Sequence, residues 1–264
     1  MKKRDPSMAD LRQVVLAGAN DETVLVGGMA VSFLADSYGV RTGEPCMTTD
    51  ADFFGESDAV ERSEELLQQA GFTTKKRLAT LDDQNTPNSG TLSVEISPNV
   101  RPIQIDFLAR IDGLSNDEII RSAVGLAVQG STIKVEHPAL LLENKIMNLA
   151  LYPTKRTEFG VNQARLAVAI LKRFLEGLED QRRLLSYIER IGRFARREAA
   201  AYAFTAYGID VLDTVPLESV IAPEFKTKRW PQIQEETRKR YAKFESIWER
   251  SKASSDFRTR RFSG

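Results

Sequence analysis

Cysteine and histidine are nearly absent: the 264 residues hold one of each, Cys46 and His137. A lone thiol excludes an intramolecular disulfide, and one imidazole beside one thiol leaves no basis for a zinc site or a Cys/His catalytic pair. Cys46 reads as a bystander thiol. Long apolar runs are missing too. No stretch approaches the roughly 18 uninterrupted apolar residues of a membrane span, and the opening MKKRDPSMADLRQ lacks the apolar core of a signal peptide. The expectation is a cytoplasmic protein with no membrane partner. No internal repeat is evident.

What remains is an ordinary globular composition, 42% apolar and 28% charged, long enough for one large domain or two modest ones. The formal net charge of zero hides an asymmetry. Residues 1–180 carry 19 Lys/Arg against 26 Asp/Glu, whereas residues 181–264 carry 18 against 11. Basic clusters such as Arg182-Arg183, Arg193-Arg196-Arg197, Lys226-Lys228-Arg229, Arg238-Lys239-Arg240 and Arg258-Arg260-Arg261 could attract a polyanion such as RNA. Interspersed acids at Glu189, Glu198, Glu235 and Glu236 favour the alternative, a set of solvated helix faces.

Periodicity divides the chain. Alternation and turn signals predict strands at 24–28, 48–54, 73–79, 91–96 and 103–108 and near 124–129 and 132–136. Helices are expected at 29–38, at 58–70 and briefly after Asn116. The polar stretch DDQNTPNSG, Asp82 to Gly90, reads as a surface loop or hairpin connection. From Pro138 onward the pattern is helical, with stripes at Leu141, Leu142, Ile146 and Leu149, then Leu166, Ile170 and Phe174, then Leu184, Leu185 and Ile188. A last long helix is expected from about Pro231 to Ser251, with Tyr241, Phe244 and Trp248 on one side, and the tail SDFRTRRFSG as a disordered end. The fold class is α/β (α+β), a mixed sheet flanked by helices followed by a C-terminal helical domain, divided at 1–136 and 137–264.

The candidate chemistry lies in the first part. In TTDADFF, the pleat puts Asp50 and Asp52 on one face of a strand while Thr49, Ala51 and Phe53 pack behind it. Neighbouring carboxylates repel unless a cation sits between them or one is protonated. A hard divalent ion such as Mg²⁺ suits such a pair, since it takes a few carboxylate oxygens plus water and phosphate. In IQIDFLAR, Ile103, Ile105 and Phe107 alternate with Gln104 and Asp106, which offers a third carboxylate on a second strand. Upstream, VLVGGMAV reads as strand, tight turn and helix: Gly27 and Gly28 permit close backbone approach, and the helix start favours phosphate. Ser32 and Thr48 are nearby hydroxyls, for phosphate contact or for capping and packing. Lys145 falls inside the apolar stripe of the first C-terminal helix, where its ammonium either reaches a ligand or snorkels from the stripe's edge.

A Gly-Gly turn, a strand Asp-x-Asp and a later strand Asp, in that order, resemble the polymerase-beta-like nucleotidyltransferase superfamily over roughly residues 20–150. The 21 residues between Gly28 and Asp50 make the chain most similar to abortive-infection (AbiEii-type) toxin-like members, although Arg41 stands further from Thr48 than their metal motif places its arginine. The resemblance implies residues 1–136 as a catalytic domain, with Gly27 and Gly28 at the nucleotide phosphates. It implies Asp50 and Asp52 as ligands of two Mg²⁺ (or Mn²⁺) ions and Asp106 as a ligand of the ion that activates the acceptor. Lys145 would contact nucleotide phosphate; Lys155-Arg156 is followed by Glu158 and Asn162 where such members carry an aspartate. The implied reaction moves NMP from an NTP to RNA, tRNA among them, or to a protein hydroxyl, and the resemblance implies the toxin of a toxin–antitoxin pair with an antitoxin protein as partner. Two other readings stay open: a catalytically weak nucleotidyltransferase-like binding module, and an Asp-x-Asp sugar-nucleotide transferase.

Overall fold

In the computed structural model, which describes residues 3–40, 48, 50–80 and 86–253, the chain separates into two compact units, Met1–Asn144 and Lys145–Gly264. Cys46, Arg41, Thr49, part of the 82–90 connection and the SDFRTRRFSG tail lie outside the described residues.

The first unit begins with helix α1, Met8–Gly18. Ser7 starts it with a reciprocal capping box: its hydroxyl accepts from the Asp10 N–H while the Asp10 carboxylate accepts from the Ser7 N–H at 2.8 Å. Asp10 also takes Arg4 Nη1 at 2.8 Å. First the Arg4 bond, then the Ser7 N–H and hydroxyl, hold its carboxyl down at about 2. Because the folded value is depressed, Asp10 stabilises the fold fully above the ordinary 3.8 and loses that contribution as pH falls towards about 2. Comparing thermal midpoints near about pH 5 and about pH 3, the acid loss should shrink in Asp10→Asn; an identical loss in both proteins would contradict it.

The order continues with β1 (Val24–Val26), α2 (Gly27–Ser37), β2 (Asp50–Phe54), α3 (Ser57–Gln69), β3 (Thr73–Leu78), β4 (Asn88–Glu95) and β5 (Ile103–Leu108). Then follow α4 (Asn116–Ser122), β6 (Val124–Val128), β7 (Ser131–Val135) and α5 (Pro138–Leu151), whose residues to Asn144 belong to this unit. Seven strands form one sheet in the order β3-β4-β5-β2-β1-β7-β6. It is mixed: β2 with β5 and β1 with β7 are parallel, the remaining pairs antiparallel.

One face of this sheet is apolar, with Ala51, Phe53, Leu92, Val94, Ile103, Ile105 and Phe107 all buried. Phe53 and Phe107 stack there across β2 and β5, ring centroids 5.7 Å apart. Helix α3 covers this side at β3 and β4: Lys76 pairs with Glu61 and Glu64, and Val60 sits against Gly90. The other face carries Asp50, Asp52, Gln104 and Asp106 by alternation, and Gln104 is exposed. Further along β1 and β2 that face turns apolar, where Val24, Val26 and Phe54 pack with Ile119 of α4 and Leu140 of α5. The mixed sheet flanked by helices and the helical C-terminal part match the expected fold class.

The second unit is helical: α6 (Glu158–Glu176), α7 (Gln181–Ala195), α8 (Glu198–Tyr207) and α9 (Trp230–Ala253), with short tight turns at Pro153–Lys155, Val211–Thr214 and Leu217–Ser219. Helix α6 is rotated from the expected stripe. Its buried line runs through Val161, Ala164, Ala167, Ile170, Leu171 and Leu175, and Leu166 and Phe174 are only partly covered. No described helix is long and apolar enough to cross a membrane.

Candidate active site

The aspartates are positioned by strand register. In the parallel pair of β2 and β5, Asp52 lies opposite Asp106 and Asp50 opposite Gln104. Paired residues share a face, so Asp52 and Asp106 stand one strand spacing apart, about 4.8 Å, with Asp50 about 6.6 Å along the same strand. All three are partly covered rather than buried. Asp50 Oδ1 accepts from Thr48 Oγ1 at 2.6 Å, and Asp106 Oδ1 accepts from Gln104 Nε2 at 3.1 Å. Each bond fixes one oxygen and leaves the other outside it.

The glycine turn meets Asp52 directly. Val26 pairs with Asp52 across β1 and β2, and the next residue, Gly27, begins α2 with φ +70°. A Cβ on Gly27 would lie 2.1 Å from Asp52 Oδ2. The backbone therefore approaches the carboxylate as only glycine allows, in a conformation that L side chains rarely adopt. This corrects the expected strand 24–28: β1 ends at Val26, and Gly27 and Gly28 form the first turn of α2. Val26 provides no side-chain cap for that turn, which leaves the start of α2 to other partners of its N–H groups.

Among the described residues, no three His, Cys, Asp or Glu side chains converge as a ready-made metal cage. The set is open instead: two opposed carboxylates and a third one step along the strand. An octahedral cation bound to such a set would complete its shell from water and phosphate, as Mg²⁺ commonly does. The donors suit that ion, being carboxylates without nitrogen or sulfur, and a glycine at 27 lets the turn lie directly against the Asp52 carboxylate.

The remaining sequence candidates each have a side-chain partner. The Ser32 hydroxyl accepts from Arg12 Nη2 at 2.9 Å, and that arginine also ion-pairs with Asp36. Thr48 is engaged by Asp50. Lys145 opens the second unit, 6% exposed, and its Nζ donates to Gln163 Oε1 at 2.9 Å. Arg156 donates to the carbonyls of Leu149 and Ala150 and lies over the Tyr202 ring, which ties the end of α5 to the helices that follow. Many of the basic residues are ion-paired: Arg229 with Glu189 at 2.6 Å, Lys239 with Glu235 at 2.6 Å, Arg240 with Glu198 at 3.4 Å, and Arg196 with Glu236. Those pairings match the solvated-face reading of the clusters; Arg258, Arg260 and Arg261 lie outside the described residues.

One carboxylate escaped the sequence reading. Glu136 follows β7, donates its N–H to Leu25 O at 2.9 Å, and is 0% exposed. Asn144 Nδ2 lies 3.3 Å from both of its carboxylate oxygens. Leu25 pairs with Val135, so Glu136 projects on the face that carries Val26 and, one strand further, Asp52. Its signal was a charged residue ending an alternating strand just before the helix-starting Pro138.

No family model matches the chain, and no curated protein matches its sequence. Among solved structures, it is similar to JHP933 from Helicobacter pylori at 12% identity, covering 94% of this chain and 96% of that one, with a TM-score of 0.39. It is also similar to the Megavirus polyadenylate synthase at 13% identity, covering 77% of this chain and 43% of that one, with a TM-score of 0.38. At these values neither likeness bears on the site, whose reading rests on the chain's own residues.

Proposed function

We propose that the first unit is a metal-dependent nucleotidyltransferase that moves NMP from an NTP to an acceptor and releases pyrophosphate. The observation that carries this reading is the register of Asp52 against Asp106 with Gly27 closed over Asp52. Asp50 and Asp52 hold Mg²⁺ or Mn²⁺ on the nucleotide side, and Asp106 joins Asp52 on the acceptor side. The bound ions supply charge neutralisation for the triphosphate and a lowered pKa for the acceptor hydroxyl. The backbone at Gly27 and Gly28 orients the phosphates, and Asp106 takes the acceptor proton as the new P–O bond forms and the α–β bridge oxygen leaves with pyrophosphate. The first unit's residues carry the reaction.

The acceptor is RNA, with tRNA among the candidates, or a protein hydroxyl, and the chain acts as the toxin of a toxin–antitoxin pair. Incubation with each labelled NTP, Mg²⁺ or Mn²⁺ and either total RNA or cell lysate should label one acceptor class. The Asp50→Ala/Asp52→Ala variant should lose that label by at least about 10³-fold, since both metal-holding carboxylates are gone. Transfer that persists unchanged in the double variant would sink the assignment.

A second reading draws on one observation, the absence of a converged three-carboxylate cage among the described residues. It makes the chain a catalytically weak nucleotidyltransferase-like binding module or a toxin–antitoxin partner protein. Calorimetric titration with Mg²⁺ and a non-hydrolysable NTP separates the two, because a pure interaction module shows no metal-coupled nucleotide uptake.

A further inference from the structure

The second unit contains a cavity of about 440 Å³ between α8, the 210–213 turn and α9, remote in sequence from every residue assigned above. In its wall Thr237 Oγ1 has no hydrogen-bond partner among the described residues, and the Tyr241 hydroxyl faces the Asp210 carboxylate. Thr237 and Tyr241 are 1% and 4% exposed, so water in bulk does not serve them. A buried hydroxyl without a partner costs on the order of 1–3 kcal/mol, and one on a cavity wall points to a ligand that supplies the missing bond.

The chemistry of that ligand follows from its neighbours. Asp210 lies beside Tyr241, and Asp213 and Glu245 stand nearer the mouth, against one cation in the lining, the exposed Arg238. Burial first, and the Asp213 charge after it, pushes the Asp210 carboxyl up; Tyr241 is pushed up by burial and by the Asp210 charge. Burial is the first cause of both shifts, so this is a sparsely hydrated place. Apolar surface completes the wall, with Trp230, Leu212 and the Phe204 ring, which stacks on Tyr241 at 4.6 Å.

We propose that this cavity binds a small organic cation bearing a primary ammonium, of the short diamine class. An ammonium has three N–H donors and no acceptor, which matches the three acceptors Asp210 Oδ2, Tyr241 Oη and Thr237 Oγ1. A guanidinium suits the cavity less, because its fork prefers both oxygens of one carboxylate and Asp210 Oδ1 already accepts from the Leu212 N–H at 2.9 Å. The alkyl chain lies against Leu212 and Trp230, and the aromatic faces favour the positive head. A second ammonium meets Asp213 and Glu245 at the mouth.

Putrescine titrated into the full chain at fixed ionic strength tests this, followed by calorimetry and by tryptophan fluorescence. Saturable binding with a fluorescence change that disappears in Trp230→Phe is expected. Asp210→Asn should weaken binding at least tenfold while the turn stays capped, because Asn caps as well as Asp. Thr237→Val, which keeps the side chain's shape, should weaken it several-fold and serves if the Asp210 variant fails to fold. Methylguanidine and tetramethylammonium should bind at least tenfold more weakly than putrescine. Unsaturable titration, equal affinity in the parent and both variants, or tetramethylammonium binding as tightly as putrescine would each overturn the proposal.

Discussion

Gly27→Ala should lower nucleotidyl transfer by at least about 100-fold, the loss expected when a catalytic group is misplaced by about 1 Å. The added methyl would sit 2.1 Å from Asp52 Oδ2, so the carboxylate must leave its place opposite Asp106 or the turn must open. Either movement separates the phosphate-facing backbone from the metal-holding oxygen. Backbone strain adds to this, since φ is +70° and a left-handed L-residue costs about 1–2 kcal/mol. Gly39→Ala separates the two effects: its φ is +62° but nothing lies within 4 Å of its would-be Cβ. Both variants should melt earlier than the parent, and only Gly27→Ala should lose transfer. Parental turnover in Gly27→Ala would remove the glycine turn from the mechanism.

Phe107→Ala should cost about 3–5 kcal/mol of folding free energy, the range for emptying a buried aromatic site. Phe107 is 0% exposed and follows Asp106 on β5, so its ring holds from behind the strand that presents the carboxylate. It stacks on Phe53, which follows Asp52 on β2. The two rings therefore lock the pair of strands whose register aligns the aspartates. A urea transition read by far-UV dichroism measures the loss. A shift below about 1 kcal/mol would show that the sheet does not depend on this stack.

Alternation is why most of the sheet was legible from the amino-acid order. Ile103, Ile105 and Phe107 announce β5 because one side of that strand is packed and the other is not, and Ala51 with Phe53 does the same for β2. The pairing between these strands was not legible: nothing local says that Asp52 meets Asp106 rather than Gln104. Helix α1 escaped because its signal is a single Ser-x-x-Asp box and a buried line of Leu11, Val14, Val15 and Gly18 too short to stand out. The face of α6 was misjudged because alanines at 164 and 167 bury as fully as leucines where helices approach closely, yet carry little hydrophobic weight in a pattern. The wall of the second unit's cavity gathers residues from Phe204 to Glu245, and the lack of a partner for the Thr237 hydroxyl is a three-dimensional fact with no trace in the sequence.

Strand β1 is only three residues long and lies between β2 and β7, with Leu25 paired to Phe53 on one side and to Val135 on the other. During synthesis, its first neighbour therefore emerges early and its second only when nearly the whole first unit has left the ribosome. Until then an edge of Val24, Leu25 and Val26 stays unpaired, a template for strands of other nascent chains. Closure of the sheet is a late, long-range event of the kind that slows folding. The Gly27 turn, which depends on β1 lying beside β2, can thus form before that closure, and the Glu136 end of β7 can join it only afterwards.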